Sequence, residues 1–160
     1  MPAEPPDTGG PDQSVVLPSP DTPLTTGNPV GDRSVPLVLS TVGDDAHTVE
    51  LRHGLQHWLA DQAVSESCRE DVVLGTYEAI ANAVEHGYRT TVPAGTVTLE
   101  VTMSDDHIDA VVTDHGRWRP PPADPGYRGR GFALIDALAE HWTIDHDAAG
   151  TTVTIRFPRR

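Results

Sequence analysis

The sequence predicts an α+β fold, a two-layer sandwich in which helices pack on one face of a mixed, largely antiparallel sheet. Apolar residues recur at every second position in several short segments, as in half-buried strands, and at every third or fourth position in longer segments, as in amphipathic helices. In chain order these segments give a strand, two helices, two strands, a long loop, a helix and two strands. Strands that follow each other directly favour hairpins, so the helices are expected to cover one face of an antiparallel sheet.

The first predicted strand covers residues 35–39, and Pro36 places it at an edge of the sheet because proline has no N–H group to donate. A helix follows to about Ala63. Asp44 or Asp45 is expected to cap its first turn, because a short side-chain oxygen can accept a hydrogen bond from an unpaired backbone N–H.

The second predicted helix begins near Ser65 or Ser67 and runs to about Tyr88. Its apolar side chains predict the packing surface, which consists of Val73, Tyr77, Ile80, Val84 and Gly87. Cys68 is the single cysteine, so the chain has no internal disulfide, and we expect it to be a small buried residue near the start of this helix.

The second half of the chain is predicted to contain two hairpins separated by a loop and a helix. The predicted segments are strands at 96–103 and 108–113, a loop at 114–130, a helix at 131–141, and strands at 142–145 and 151–157. The loop is long for a compact domain, which marks it as a functional segment.

The 160 residues are predicted to hold one domain behind a leader. Residues 1–33 are rich in Pro, Gly, Asp, Ser and Thr without periodicity, which predicts a disordered leader, and residues 34–160 are predicted to form the domain. The formal net charge of -13 argues against a direct nucleic-acid partner. No segment has the composition of a membrane span or a signal peptide, so we expect a cytoplasmic protein with no membrane partner.

The most informative segment is a polar stripe inside the second helix. Glu78, Asn82 and His86 are spaced four residues apart, and each step of four turns the helix by only about 40°, so the three side chains share one narrow face. A packing helix has no need of an acid, an amide and an imidazole in one row. Together these groups can hold a hydrated Mg²⁺ ion through oxygen and orient a nucleophile.

Two later segments add to this stripe. Asp114 ends a predicted strand and is followed by Gly116, so a carboxylate and an open backbone lie side by side. Residues 128–132 form a glycine-rich turn that runs into a helix, whose unpaired N–H groups favour phosphate. Each segment alone is more often ordinary connectivity, but together with the stripe they occur in a characteristic order.

That order resembles the GHKL-type ATPase domain, the Bergerat fold of gyrase-type, chaperone and histidine-kinase ATPases. Within it, the chain looks most like the RsbW-like serine/threonine kinases that act as anti-sigma factors. The resemblance runs from about Val35 to Phe157. It is carried by Glu78-x-x-x-Asn82-x-x-x-His86-Gly87, Asp114-x-Gly116, Arg128-Gly129-Arg130-Gly131-Phe132-x-Leu134 and Gly150-Thr151-Thr152-Val153.

The resemblance implies ATP and Mg²⁺ as cofactors. It makes Asn82 the ligand of Mg²⁺, Glu78 the catalytic base and Asp114 the partner of the adenine amino group. It assigns the rest of the nucleotide site to His86, Gly116, Arg128, Gly129, Arg130, Gly131, Phe132 and Thr151. Thr151 shares strand parity with Val153 and Phe157 and should therefore face inward.

The resemblance also implies partners. The phosphoacceptor would be an anti-anti-sigma protein, a sigma factor would be sequestered, and a homodimer is one expected assembly. The chain departs from the family at Trp118, which stands where the first glycine box often continues with a second glycine. This departure leaves the conformation of the adjoining loop open.

Other functions remain open at this point. A non-catalytic module that binds ATP or a sigma factor is the main alternative, and Glu78 argues against it because binding alone needs no base. A sensor histidine kinase domain would need a dimerising helix with a phosphoaccepting histidine, for which the leader is too short. Glu50, His53 and His57 share one helix face at spacings that can serve zinc, but a solvated polar face is the favoured interpretation.

Overall fold

The computed structural model describes residues 35–88, 95–116 and 130–160. Its elements, in chain order, are β1 (Leu37–Val42), α1 (Asp45–Ala60), α2 (Glu66–Ala83) with a π-helical turn (Val84–Tyr88), β2 (Thr96–Met103), β3 (His107–Asp114), α3 (Arg130–Leu138), β4 (His141–Asp147) and β5 (Gly150–Pro158). Helices packed on one sheet confirm the predicted α+β class. The predicted leader, residues 1–33, lies outside the described residues.

The sheet has five strands in the order β1-β2-β3-β5-β4, and every pairing in it is antiparallel. Strand β1 lies at an edge, as Pro36 predicted. It begins two residues later than predicted and extends to Val42, because it pairs with β2 along its whole length. The carbonyl oxygen of Val35, outside the strand, instead accepts a 2.9 Å hydrogen bond from the indole of Trp58.

One face of the sheet forms the core, and the predicted alternation is confirmed on its three central strands. The buried strand residues are Val97, Leu99, Val101, Ile108, Ala110, Val112, Val153, Ile155 and Phe157. The helices cover this face with Leu51, Leu55, Leu59, Val72, Ala79, Ile80 and Ile135. Burial of this apolar surface is the main favourable contribution to folding, at roughly 25 cal/mol per Å².

Helix α1 begins where the sequence predicted. The carboxylate of Asp44 accepts a 2.9 Å hydrogen bond from the backbone N–H of His47 and contacts the His47 ring at 2.8 Å. The backbone and side-chain hydrogen bonds from His47 lower the pKa of Asp44, and the same carboxylate raises the pKa of His47. The helix ends at Ala60 rather than near Ala63.

The packing face predicted for α2 is confirmed in part: Ile80 is buried, and Val73 and Val84 are partly buried against the core. The residues that this helix buries are Cys68, Val72, Gly75, Thr76, Ala79, Ile80 and Ala83. Most of them are small, which lets the helix approach the sheet closely, and a Cβ added at Gly75 would lie 2.8 Å from the Phe157 ring. Tyr77 lies in a groove shared with α1, where the Arg52 guanidinium is 5.2 Å from its ring centroid.

The ends of α2 follow the prediction with one change of geometry. Ser65 caps the helix by accepting a 3.2 Å hydrogen bond from the N–H of Cys68, which is buried as predicted. The helical segment ends at Tyr88, as expected, but its last turn is a π-helix rather than an α-helix. Such wider turns are rare, occur mostly as single turns of α-helices and are frequent at functional sites.

The C-terminal elements agree with the prediction to within a few residues. Helix α3 ends at Leu138, three residues early, and the β4–β5 hairpin is longer at both ends than expected. Across the ranges that the structure describes, no helix is long and apolar enough to cross a membrane.

Candidate functional site

A cavity of about 300 Å³ opens between the C-terminal half of α2, the sheet and α3. It is lined by Ala79, Asn82, Ala83, His86, Gly87, Val112, Asp114, Phe132, Trp142, Ile144, Thr151 and Val153. Its walls are mostly apolar, with a few polar groups at defined points, which is the usual character of a small-molecule site. Five predicted site residues, Asn82, His86, Asp114, Phe132 and Thr151, therefore meet in one cavity.

Asp114 is the most deeply buried acid of the site, with 5% of its surface exposed. Its Oδ1 atom accepts a 2.8 Å hydrogen bond from the backbone N–H of Gly116. Burial raises the pKa of Asp114, and the Gly116 hydrogen bond and the nearby His115 and His86 rings act in the opposite direction. A buried carboxylate held at a strand end can accept a hydrogen bond from a ligand N–H group.

Thr151 lies beside Asp114 because the two residues are register partners on β3 and β5. It is buried, with 8% of its surface exposed, so the inward orientation predicted from strand parity is confirmed. The site thus places a hydroxyl next to the carboxylate on the floor of the cavity.

Two glycines allow the end of α2 to touch the end of β3. A Cβ added at Gly87 would lie 3.0 Å from Asp114 Oδ1, and one added at Gly116 would lie 2.7 Å from the carbonyl carbon of Gly87. Real Cβ atoms do not approach backbone so closely, so a side chain at Gly116 would push the two segments apart. These positions require glycine for close approach.

The polar stripe of α2 meets the beginning of α3. A Cβ added at Gly131 would lie 3.0 Å from Glu78 Oε2 and 3.3 Å from Asn82 Nδ2. Glu78 does not line the cavity, but it lies at the same junction of helices as Asn82. The predicted acid and amide are therefore adjacent to the helix that follows the glycine-rich turn.

The Asn82 side chain fits a bound cation. Its Nδ2 atom is buried and has no hydrogen-bond partner among the described residues. The two ends of a carboxamide occupy nearly the same space, so a half-turn of the group presents its oxygen at that point. An oxygen ligand beside the Glu78 carboxylate matches the preference of Mg²⁺.

The sequence-based prediction missed an aromatic wall of the cavity. Trp142 stacks on Phe132, with ring centroids 5.2 Å apart and an interplanar angle of 18°, and its indole N–H donates to Asp136 at 3.1 Å. The available signal was the position of Trp142 at the start of a strand directly after the helix that carries Phe132. The prediction used this tryptophan only to define the strand.

Several predicted residues are not placed by the structure. Arg128, Gly129 and Trp118 lie outside the described residues, and so does the side chain of Arg130. Glu50, which was considered with His53 and His57 as a zinc alternative, is described by the structure, and its carboxylate accepts a 3.5 Å hydrogen bond from the Thr41 hydroxyl. Within the described ranges, no group of three or more His, Cys, Asp or Glu side chains is arranged to hold a metal ion.

Comparison with known proteins agrees with this geometry. Residues 42–157 match the sequence model of a family described as the histidine kinase-like ATPase domain. Among solved structures, the RsbU and RsbW domains of Rv1364c from Mycobacterium tuberculosis are 30% identical to this chain, with a TM-score of 0.64. That match covers 79% of this chain and 33% of the mycobacterial chain, so this chain spans about a third of the length of the mycobacterial one.

Two further structures share the fold. The blue-light activated histidine kinase of Erythrobacter litoralis EL346 is 21% identical, with a TM-score of 0.52, over 71% of this chain and 41% of that one. A structure of its histidine kinase domain is 20% identical, with a TM-score of 0.51, over 71% of this chain and 60% of that one. The fold is thus the GHKL type with an RsbW-like similarity, and the chain belongs to the histidine kinase-like ATPase domain family.

Proposed function

We propose that this chain is an ATP-dependent protein serine/threonine kinase that acts as an anti-sigma factor. Its family supports the use of ATP, and its similarity to a chain with an RsbW domain favours a regulatory kinase. The observation that carries the proposal is the contact of Gly131 with Glu78 and Asn82. It brings a candidate base and a candidate metal ligand to the helix start that would receive phosphate.

The cavity would bind the nucleotide base. Asp114 would accept a hydrogen bond from the adenine amino group, with Thr151 beside it and Gly116 leaving room for a flat ring. The cavity volume of about 300 Å³ is at the lower end of the range typical of small-molecule sites. We assign the phosphates to residues 128–131, and Phe132 and His86 complete the lining of the cavity.

The proposed reaction transfers the γ-phosphoryl group to a serine or threonine hydroxyl of a protein. Glu78 accepts the hydroxyl proton while the hydroxyl oxygen bonds to the γ-phosphorus, and the bond from that phosphorus to the β–γ bridging oxygen breaks to release ADP. Asn82 would hold Mg²⁺, which neutralises charge on the phosphate oxygens when it is bound. Arg128 and Arg130 would stabilise the negative charge that develops on the transferred group.

The proposed partners follow from the regulatory class. The acceptor would be an anti-anti-sigma protein, and a sigma factor would be sequestered by the same or a neighbouring surface. The net charge of -13 suits a partner with a basic surface. Such partners place the activity in the cytoplasm, and a homodimer is the proposed assembly.

A phosphotransfer assay tests the proposal. The protein is incubated with γ-labelled ATP, Mg²⁺ and an anti-anti-sigma acceptor, next to the variants Glu78→Gln and Asn82→Ala. Glu78→Gln should lose at least about 100-fold in transfer rate, the scale of a lost general base. Asn82→Ala should also transfer phosphate much more slowly, because it removes the proposed Mg²⁺ ligand. Glu70→Gln, an exposed change on the same helix, is the matched control and should transfer phosphate at the normal rate. Equal rates in Glu78→Gln and Glu70→Gln would refute the role of Glu78.

The second candidate is a non-catalytic module that binds ATP or a sigma factor. The cavity lining favours this module: it contains the residues proposed to hold the adenine ring, Asp114 and Thr151, but it does not contain the proposed general base, Glu78. Nucleotide binding without transfer to any acceptor would support this module. Absence of nucleotide binding would refute both functions.

A further inference from the structure

Tyr88 connects three separate segments of the chain through one hydroxyl group. Its Oη atom donates a 2.9 Å hydrogen bond to the carbonyl oxygen of Thr96 and accepts a 2.7 Å hydrogen bond from the backbone N–H of His115. The end of α2, the start of β2 and the end of β3 are therefore tied together at a single point. None of the proposed catalytic or binding roles uses this residue.

The ring of Tyr88 is held as firmly as its hydroxyl. Tyr88 is buried, with 6% of its surface exposed. A Cβ added at Gly43 would lie 2.5 Å from its Cε2 atom, and one added at Gly95 would lie 2.7 Å from its hydroxyl oxygen. Gly43 and Gly95 are themselves joined by a 2.7 Å backbone hydrogen bond, so the ring is packed against a paired stretch of main chain.

The hydroxyl can serve as both donor and acceptor under ordinary conditions. Burial raises the pKa of Tyr88, so the hydroxyl keeps its proton at neutral pH. Its two partners are the backbone carbonyl of Thr96 and the backbone N–H of His115. Loss of a hydrogen bond to a buried backbone group lowers the stability of the folded chain. The bridge is therefore a stable part of the folded chain.

The bridge ends on the residue directly after Asp114. The N–H of His115 bonds to Tyr88, the N–H of Gly116 bonds to the Asp114 carboxylate, and Gly87, next to Tyr88, lies against that carboxylate. Tyr88 and Gly87 thus fix the main chain and the side chain at the strand end from one short segment. A carboxylate that must meet a flat ligand gains from such a fixed support.

We propose that Tyr88 is a positioning residue for nucleotide recognition, in which its hydroxyl bridge between Thr96 and His115 holds Asp114 in the orientation that reads the exocyclic amino group of adenine. This inference rests on the proposed function and extends it to a residue that touches no ligand. It predicts an effect on base discrimination rather than a general loss of affinity.

The test compares two nucleotides by isothermal titration calorimetry. ADP carries the exocyclic amino group, and the diphosphate of purine riboside lacks it. Tyr88→Phe should weaken ADP binding about 5- to 10-fold, the scale of one typical hydrogen bond, and change the binding of the analogue less than about 2-fold. Tyr77→Phe is the matched control, because Tyr77 lies on the same helix in the groove shared with α1, and it should leave both affinities unchanged.

Further variants separate positioning from support of the fold. If Tyr88 acts through Asp114, adding Tyr88→Phe to Asp114→Asn should cause no further loss of discrimination. Equal weakening of both nucleotides by Tyr88→Phe would overturn the inference and leave only a structural role. Unchanged discrimination would also overturn it while the proposed function stands, whereas failure of the unsubstituted protein to bind ADP would refute both.

A measurement on the unsubstituted chain keeps the test valid even if Tyr88→Phe does not fold. The His115 amide should exchange slowly with deuterated solvent in the absence of nucleotide, since it is bonded to the Tyr88 hydroxyl. The backbone N–H groups of Asp105 and Asp106, in the exposed turn between β2 and β3, provide the fast reference. Exchange of His115 at the reference rate would overturn the proposed bridge.

Discussion

Replacing Gly150 by alanine is predicted to destabilise the protein strongly. Gly150 has a φ of +149°, a backbone conformation that residues with a side chain rarely adopt, and this strain costs about 1–3 kcal/mol. The new Cβ would also lie 2.8 Å from the carbonyl carbon of Asp114 and 2.8 Å from the Cα of His115. Overpacking against such atoms costs about 1–3 kcal/mol more. The expected loss in the free energy of unfolding is therefore about 2–6 kcal/mol.

Urea denaturation followed by circular dichroism measures this loss, and Gly54→Ala is the matched control. At Gly54, on helix α1, the added Cβ would meet only the Leu39 side chain, whose end can move. Alanine in place of a helical glycine gains up to about 1 kcal/mol in helix propensity, which offsets the crowding. The control should therefore remain within about 1 kcal/mol of the original protein.

The same substitution also tests the connection between Gly150 and the site. Because the crowded atoms belong to Asp114 and His115, any fraction of Gly150→Ala that stays folded should bind ADP more weakly than Gly54→Ala does. Equal urea midpoints for the two variants would refute the reasoning, since the backbone angle, the atoms that the new methyl group meets and the helix propensity at Gly54 all favour the control.

Three other predictions concern the core and the charged groups. Phe157→Ala removes a ring that is 1% exposed and should lower the free energy of unfolding by about 3–5 kcal/mol in urea, whereas a loss below 1 kcal/mol would contradict its place in the core. The pKa of Asp44 is lowered from 3.8 and that of His47 is raised from 6.5, so their ion pair should stabilise the protein most between these values, fading as pH rises above the His47 pKa or falls below the Asp44 pKa. Asp44→Asn, which keeps the helix cap, should remove this pH dependence, and an unchanged pH profile would exclude the pair as its source. Burial raises the pKa of Asp114 from 3.8, so this residue contributes most to the free energy of unfolding below about pH 3.8, and the contribution is lost as pH rises through the pKa of the folded protein. Asp114→Asn should therefore be the more stable protein at pH 7, and the difference should close in acid. A difference independent of pH would contradict this.

Much of the fold follows from local patterns in the sequence. Alternation along β2, β3 and β5 defines which side chains are buried, because successive side chains of a strand point to opposite faces. The same rule predicted that Thr151 faces inward, and the strand register then places it beside Asp114. The caps at Asp44 and Ser65 were predictable because their side chains bond to backbone groups only three residues away.

The packing of α2 was not predictable from hydrophobicity. The prediction chose large apolar residues such as Val73 and Tyr77, which are only partly buried, whereas most residues that the helix buries fully are small, such as Gly75 and Ala79. Close approach of a helix to a sheet needs small side chains, and their value depends on what lies opposite, here the ring of Phe157. That partner is distant in sequence, so no pattern within the helix identifies it.

The site was predicted in part for the same reason. Asn82 and His86 were singled out by their spacing in the helix, and Asp114 by its place in a motif that resembles the family's first glycine box. The structure brings all three to one cavity. Tyr88 and Trp142 were missed as site residues because each reaches the site through a contact that the sequence pattern does not show. Tyr88 bonds to the amide of His115, and Trp142 stacks on the ring of Phe132. The functional roles of all the predicted site residues stay predictions, and Arg128 and Gly129 lie outside the described residues.

The π-helical turn Val84–Tyr88 makes the length of the chain critical at one point of the helix. A π-turn holds one more residue than the hydrogen-bonding ring of an α-helix, so deleting one residue there would restore regular helical bonding. The five residues of the turn would become four, so Gly87 and Tyr88 could not both keep the places from which they reach Asp114 and His115. A shorter helix would thus have more regular hydrogen bonds but would lose the contact between the end of α2 and the end of β3. An insertion or a deletion in this turn is therefore expected to disrupt the site even where every remaining side chain is kept.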